Sequence, residues 1–304
     1  MAPALRADSG ITVVIPAYGH CPHLPDVVAA LLGQTLPPDQ ILVGHSGSHD
    51  PSGDLEPLDP RVRVLHRDDR MFAGAARNHA AGQARGDWLA FVDSDVRPDP
   101  TWLESFADAV RTHGEDCYFA GSLAYARSGG YWGLCLWMIE MGSQHPYLPG
   151  GEVPSMAGAN GFVKRAHFEA VGGFKDGLHI GEDAALQREL RQRGLKIRFW
   201  PGAIARHFNI SGFGHFRSHL RPLGAGAARL RRQYAFRGSA AARHPVLALG
   251  LFPLRLAQIY ARVMRWGRGY RLLLLALTPG LVLGLGIWTA AFFGVAMSAR
   301  GDDR

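Results

Sequence analysis

Acidic residues are missing from the last third of this chain. Between Glu189 and Asp302 there is no Asp or Glu, so residues 190–304 hold 19 Lys/Arg against 2 acids, net +17. Residues 1–189 hold 14 against 24, net −10, and the overall charge of +7 hides this division. A basic tail of this kind serves either nucleic acid or an anionic membrane surface. Cysteine is scarce too. Cys21, Cys117 and Cys135 stand far apart, which argues against a disulfide framework or a zinc motif and fits a reducing compartment. No internal repeat or low-complexity stretch is evident. The opening "MAPALRADSG" lacks the apolar core of a secretory leader, so the large N-terminal part is expected to stay in the cytoplasm.

The interior of the tail decides between its two uses. Residues 272–297, "LLLLALTPGLVLGLGIWTAAFFGVAM", run for 26 positions without a charge. As a helix they would extend roughly 39 Å, more than a hydrocarbon core of about 30 Å. A transmembrane helix is expected there, with Pro279 as a kink whose freed carbonyl neighbouring protein can satisfy. Residues 245–264 are apolar but interrupted by Pro253, Arg255 and Arg262, and either span with snorkelling arginines or lie in the interface. The flanks 229–243 and 262–271 are rich in arginine, which places them on the cytoplasmic side and near anionic lipid. Tyr234, Phe236, Trp266 and Tyr270 suit the headgroup level. The tail therefore reads as a membrane anchor in contact with the bilayer, not as a nucleic-acid arm.

Upstream, apolar runs alternate with helical patterns. "ITVVIP" (11–16) is a strand stopped by Pro16, "QILVG" (40–44) and "RVRVL" (61–65) follow, and "WLAFV" (88–92) is the fourth. Leu24, Val27, Val28 and Leu31 form one helix face, with Pro25 in its first turn. "GAARNHAAGQARG" (74–86) is a helix of small residues closing on Gly86. Trp102, Leu103, Phe106 and Val110 form another helix face, and "CYFAGSLAY" (117–125) another strand. "SGGYWGLCLWMIEMG" (128–142) is either a core helix or a surface for lipid. "GEDAALQRELRQRG" (181–194) is a helix stopped by Gly194. This alternation predicts an α/β fold with a mostly parallel central sheet.

Ligands in such sheets bind beyond the carboxyl ends of the strands. Here those ends read "PAYGH", "GHSGSHD", "HRDD" and "DSD", all polar or glycine-rich. The last is the most telling. A buried run ends in Asp93 and Asp95, and isolated buried carboxylates are costly. Either they cap a turn in solvent or they meet something positive.

The segments "VVIPAYG", "GSHD", "RNHAAGQARGDWLAFVDSD", "AGANGFVKRAHFEAVGGF" and "GEDAALQRELRQRG" together resemble family 2 glycosyltransferases of the GT-A fold, over roughly residues 10–210. The resemblance implies an inverting enzyme that uses a nucleotide-diphosphate sugar and Mn²⁺ or Mg²⁺, often on a lipid-linked acceptor. It implies a division into a cytoplasmic GT-A domain (1–217), a basic linker (218–243) and a membrane anchor (244–304), with the bacterial inner membrane as the expected site.

Carried onto these residues, the resemblance makes Asp95 the direct metal ligand. Asp93 contacts ribose or sugar and shares the metal set, with His207 facing the metal or the diphosphate. Pro16, Ala17, Tyr18, Ser94, Arg77 and Asn78 fall to the donor, Asp50 to its ribose or base, and Gly158 and Asn160 to a tight approach around sugar or acceptor. Hard divalent ions take oxygen ligands and keep several waters, so one or two carboxylates suffice, and Asp93 and Asp95 supply charge rather than proton transfer. Inversion needs one carboxylate to take the acceptor's proton. Asp183 is the candidate base and Glu182 the second, both in the first turn of a helix, where the dipole favours the ionised form. Each residue also has a plainer reading: Asp50 and Asp183 as caps, His207 as a structural histidine, Arg77 and Asn78 as helix surface. Arg217 and Arg221 read as basic linker.

One departure stands out. Relatives carry an acidic pair before Gly-Ser-x-Asp whose first acid contacts the donor's base, but this chain has His45 and Ser46; a histidine can still hydrogen-bond there, so His45 stays in the expected donor set while the identity of the base is left open. Two rival functions remain. A sugar nucleotidyltransferase would show a basic glycine-rich loop after the first strand, and "PAYGHCPH" has neither Lys nor Arg. A membrane-docked pseudo-transferase that binds nucleotide and recruits partners is the other.

Overall fold

The computed structural model describes residues 10–209, 211–234, 236, 238–266 and 268–302, with side chains for all of these except 268 and 299–302. The N-terminal stretch expected to lack a leader, and Arg237 and Gly267 of the basic flanks, lie outside the described residues. The chain forms two compact units, one of Met1–Ala124 with Gln144–Phe208, the other of Tyr125–Ser143 with Asn209–Arg304.

In the first unit the chain runs β1 (Ile11–Tyr18), α1 (Leu24–Leu32), β2 (Gln40–Ser46), α2 (Ser52–Leu55), β3 (Val62–Arg67), α3 (Ala73–Ala81), β4 (Trp88–Val92), β5 (Val96–Pro98), α4 (Trp102–His113) and β6 (Cys117–Tyr125). After a helix of the second unit, α5 (Gly130–Glu140), it continues with β7 (Gly151–Glu152), β8 (Asn160–Lys164), α6 (Arg165–Ala170), α7 (Glu182–Gln192) and β9 (Lys196–His207). One sheet has the order β3-β2-β1-β4-β8-β6-β9-β5, with β7 on β9. The run β3-β2-β1-β4 is parallel, and β8 joins β4 antiparallel. The expected α/β architecture is thus present.

The central strands β1, β2 and β4 are buried on both faces, as helix-covered sheets require. In β4, Leu89 and Phe91 join a core with Phe168, Phe174, Leu186 and Leu190 of the α6–α7 region. Trp88, on the other face, stacks on Phe162 at 4.9 Å, and Phe162 stacks on Phe106 of α4 at 5.0 Å. This period-two division fixes the register, because a slip by one residue would exchange the two sets. The helix face of Leu24, Val27, Val28 and Leu31 is buried as expected.

Two sequence expectations fail here. Pro16 does not stop β1, which pairs with β2 through Tyr18. The pairing with β4 ends at Val14, so Pro16 sits where one flank of the strand is already open and a missing N–H is tolerated. Nor does α3 close on Gly86. It ends at Ala81 with Gly82 as its cap, whose N–H reaches the Asn78 carbonyl at 2.9 Å. Gly86 instead lies where the backbone crosses Gly10, and a Cβ there would stand 2.5 Å from the Gly10 carbonyl oxygen.

The second unit holds α5, α8 (Phe213–Gln233), α9 (Ser239–Arg243), α10 (Pro245–Leu249), α11 (Leu251–Val263) and α12 (Arg268–Asp302). Residues 128–142, left open as core or lipid surface, supply α5, and Cys135, Leu136 and Trp137 in it are buried. α8 and α12 approach closely at Gly224, where a Cβ would come within 2.1 Å of the Trp288 carbonyl oxygen. α12 is helical across Pro279. There the Tyr131 hydroxyl accepts from the Gly280 N–H (3.0 Å) and donates to the Ala276 carbonyl (3.3 Å), entering the i→i−4 ladder of the helix. Two segments, Pro245–Val263 and Gly269–Ser298, are long and apolar enough to cross a membrane, with mean hydropathy 1.4 and 2.0.

Candidate active site

The parallel strands deliver their carboxyl ends to one rim of the sheet, and a cleft of about 270 Å³ opens there. Pro16, Ala17 and Tyr18 from β1 and Asp93, Ser94 and Asp95 after β4 all line it, as the motifs predict. Met71, Ala73 and Ala76 complete one wall. The Tyr18 ring is half exposed, with the Arg70 guanidinium 4.5 Å above its centre.

Asp95 is placed by an antiparallel ladder. Its backbone carbonyl accepts from the Phe208 N–H at 2.8 Å, and β5 pairs Val96 with His207. The pairing brings His207 Nε2 to 3.9 Å from Asp95 Oδ2. Two ligands on one octahedral ion, each at roughly 2.1 Å, stand about 3 Å apart when adjacent and about 4 Å when opposite. Asp95 and His207 therefore fit as a partial ligand set, with the remaining positions left to donor oxygens and water. No group of three or more such ligands occurs among the described residues.

Asp93 departs from the expected metal set. Its Oδ1 is 2.5 Å from Arg77 Nη2, so the carboxylate is already committed to a guanidinium. Arg77 departs likewise from a phosphate-facing role. Only 3% of its side chain is accessible, and its Nη1 donates to Glu182 Oε1 at 2.9 Å. Burial opposes the charge on Arg77, but Asp93 and Glu182 outweigh it and hold the guanidinium above its ordinary value. Glu182 is pushed up to about 7, first by burial, then by the charge of Asp183, with Arg77 acting against both.

Asp183 opens α7 beside Glu182. Its Oδ1 accepts from the Ala184 N–H (2.7 Å) and its Oδ2 from the Gly158 N–H (2.9 Å). Burial raises its carboxyl, and the two N–H donors pull it back. The close approach expected of Gly158 is made to Asp183: a Cβ there would stand 2.8 Å from the Asp183 Cβ. The loop before it is held by Gln187, which brackets the Met156 N–H and carbonyl at 2.8 and 2.9 Å.

Three other expected donor contacts point inward instead. Asn160 is wholly buried, taking the Trp102 indole N–H (2.8 Å) and donating to the Ser122 and Ala203 carbonyls (2.9 and 3.0 Å). It ties β8 to β6, β9 and α4. Asn78 clasps the Phe174 backbone through both halves of its amide, at 2.8 and 2.9 Å. His45 is fully buried, and both of its nitrogens are taken: Nε2 by the Gly19 carbonyl and Nδ1 by His66 Nδ1, each at 2.9 Å. A carbonyl only accepts, so Nε2 carries the proton, Nδ1 accepts, and His66 Nδ1 is the donor. Burial lowers the pKa of His45, in keeping with a neutral ring. The histidine in the acidic-pair position therefore holds the turn after β1. Asp50 caps its own turn through the Ser52 N–H at 2.9 Å and stays exposed.

His66, Gln187 and Arg70 had no signal in the sequence, because each acts through a partner distant along the chain.

A pre-mycofactocin glycosyltransferase of Mycobacterium tuberculosis is 30% identical over 207 residues, covering 65% of this chain and 42% of that relative. The chain thus spans less than half the length of this curated relative. Among solved structures, the mannosyltransferase PcManGT from Pyrobaculum calidifontis, in complex with GDP-Man and Mn²⁺, superposes with a TM-score of 0.60 at 18% identity, over 100% of this chain and 90% of that one. S. aureus TarS 1–349 in complex with UDP gives 0.53 at 16% identity, over 96% and 92%. These likenesses establish a GT-A-type fold. The model of glycosyl transferase family 2 matches residues 12–172, more than half the chain, and the chain belongs to that family.

Proposed function

We propose that the chain is an inverting glycosyltransferase that moves a sugar from a nucleotide-diphosphate donor to a lipid or lipid-linked acceptor at the cytoplasmic face of a membrane. The observation that supports this reading is the bridge from Asp93 through Arg77 to Glu182, which ties an acid lining the cleft to the chain neighbour of the base candidate Asp183.

The donor's diphosphate would lie over Pro16–Tyr18, with its charge turned towards Asp95 and His207. A divalent cation held by those two would supply neutralisation of the departing diphosphate. Mn²⁺ accompanies the donor in the PcManGT structure, which supports a divalent ion here. Asp183 would accept the acceptor's hydroxyl proton as the oxygen bonds to the anomeric carbon and the bond to the nucleotide diphosphate breaks. Its two backbone donors aim the carboxylate and favour its ionised form against the burial that raises its pKa, while Glu182, bound to Arg77, holds that arginine in register rather than taking the proton. The apolar segments 245–263 and 269–298 favour a membrane anchor, which would concentrate an acceptor confined to the bilayer.

Full-length protein in detergent, given a panel of nucleotide sugars with Mn²⁺ and a lipid extract, tests the reading. Transfer that disappears in Asp183→Asn while donor-induced thermal stabilisation persists supports it. Undiminished transfer in that variant overturns the assignment of the base, and equal transfer to a soluble sugar after removal of the tail overturns the lipid acceptor.

A further inference from the structure

A second cavity, of about 540 Å³, lies wholly within the helical unit. Arg231 near the end of α8 and Arg255 and Arg262 on α11 all line it. The last two are seven residues apart and share a helix face. Glu140 is the one acid among its described lining residues and is hydrogen-bonded to His219 at 3.0 Å. Three guanidiniums thus face a space with one carboxylate that is already engaged.

Arg255 is the most telling of the three. Its guanidinium lies 4.0 Å over the Trp288 ring, and one Nη2 reaches the Ile139 carbonyl at 3.4 Å. No ion pair among the described residues engages Arg255 or Arg262. Like charges gathered in one recess repel and lose hydration, so an anion between them would stabilise the arrangement. Guanidiniums match phosphate oxygens through paired N–H groups. Leu251 and Leu254 line the same cavity, and Leu254 is half exposed on a segment apolar enough to cross a membrane. A basic recess with an apolar lip suits a phosphate that carries hydrocarbon chains.

We propose that this cavity binds the phosphate of an anionic lipid, through Arg231, Arg255 and Arg262. The site belongs to the helical unit alone and does not depend on which sugar is transferred or whether any is.

The full chain in phosphatidylcholine nanodiscs, with phosphatidylglycerol raised stepwise, tests it by native mass spectrometry of retained lipid and by thermal midpoint. The expected result is saturable retention of phosphatidylglycerol, weakened about fivefold per guanidinium lost. Arg262→Gln should weaken it, Arg255→Lys should weaken it less, and Arg265→Gln, an exposed change off the cavity, should leave it intact. Arg255→Lys keeps the charge over Trp288, so folding is preserved if Arg255→Gln fails. A parallel arm adds inorganic phosphate in phosphatidylcholine alone. Stabilisation by lipid and not by inorganic phosphate supports the lipid, whereas equal stabilisation by inorganic phosphate overturns the lipid as source. Retention unchanged in Arg262→Gln, or lost equally in Arg265→Gln, overturns the site.

Discussion

Arg77 and Glu182, 105 residues apart in sequence, meet at 2.9 Å, and the same guanidinium holds Asp93. One side chain therefore couples a strand end that lines the cleft to the helix that carries the acid pair. Removing one partner of a buried pair typically costs 3–5 kcal/mol, because the charge left behind has no partner. Arg77→Met leaves two carboxylates facing each other, and denaturant unfolding should show a loss of about 3 kcal/mol. Arg77→Lys should recover only part, since an ammonium lacks the planar fork that reaches both carboxylates.

The acid pair makes stability depend on pH with a definite sign. The Glu182 carboxyl lies near 7 when folded against an ordinary 4.5, so the folded state binds its proton more tightly. Its contribution is present in full below about pH 4.5 and is lost as pH rises through about 7. Glu182→Gln should therefore gain stability relative to the parent protein across that interval. Parallel denaturation curves with a constant difference from pH 4.5 to 7 would contradict this.

The histidine pair predicts the opposite slope. His45 has its pKa lowered by burial, so its neutral form is favoured on folding. That stability is present above the ordinary value of 6.5 and is lost as pH falls below it. His45→Ala would strand the Gly19 carbonyl and the His66 N–H, at about 1–3 kcal/mol. Thermal melts between pH 5 and 8 should show the parent protein losing stability on acidification and His45→Ala losing less.

Metal removal separates the two aspartates. Asp95 and His207 fit a cation together, whereas Asp93 is bound by Arg77. Chelation should abolish donor-induced thermal stabilisation in the parent protein. Asp95→Asn should raise the Mn²⁺ concentration needed to restore it at least tenfold, about 1.4 kcal/mol. Asp93→Asn should leave that requirement nearly unchanged while lowering stability without ligand.

Much of the fold could be read from the sequence because apolar period and strand length are local properties. The runs at 11–16, 40–44 and 88–92 became strands, and the rim residues Pro16, Ala17, Tyr18, Ser94 and Asp95 came together in one cleft. What sequence could not give is the direction of a side chain. Asn160, Asn78 and His45 sit in the right segments yet turn inward, because each has backbone partners far along the chain that satisfy it more fully than solvent would. The end of α3 was misplaced for a related reason: two glycines four residues apart both suit a cap, and only the crossing of the chain at Gly10 shows that Gly86 serves another purpose.

The hydroxyl of Tyr131, lodged between Ala276 and Gly280, bears on the order of assembly. Tyr131 lies 149 positions ahead of Gly280, so the ribosome releases it first. When the long terminal helix arrives, the phenol that bridges the Gly280 N–H and the Ala276 carbonyl is already made. Synthesised in isolation, that helix would have to join the two groups directly, with no hydroxyl between them.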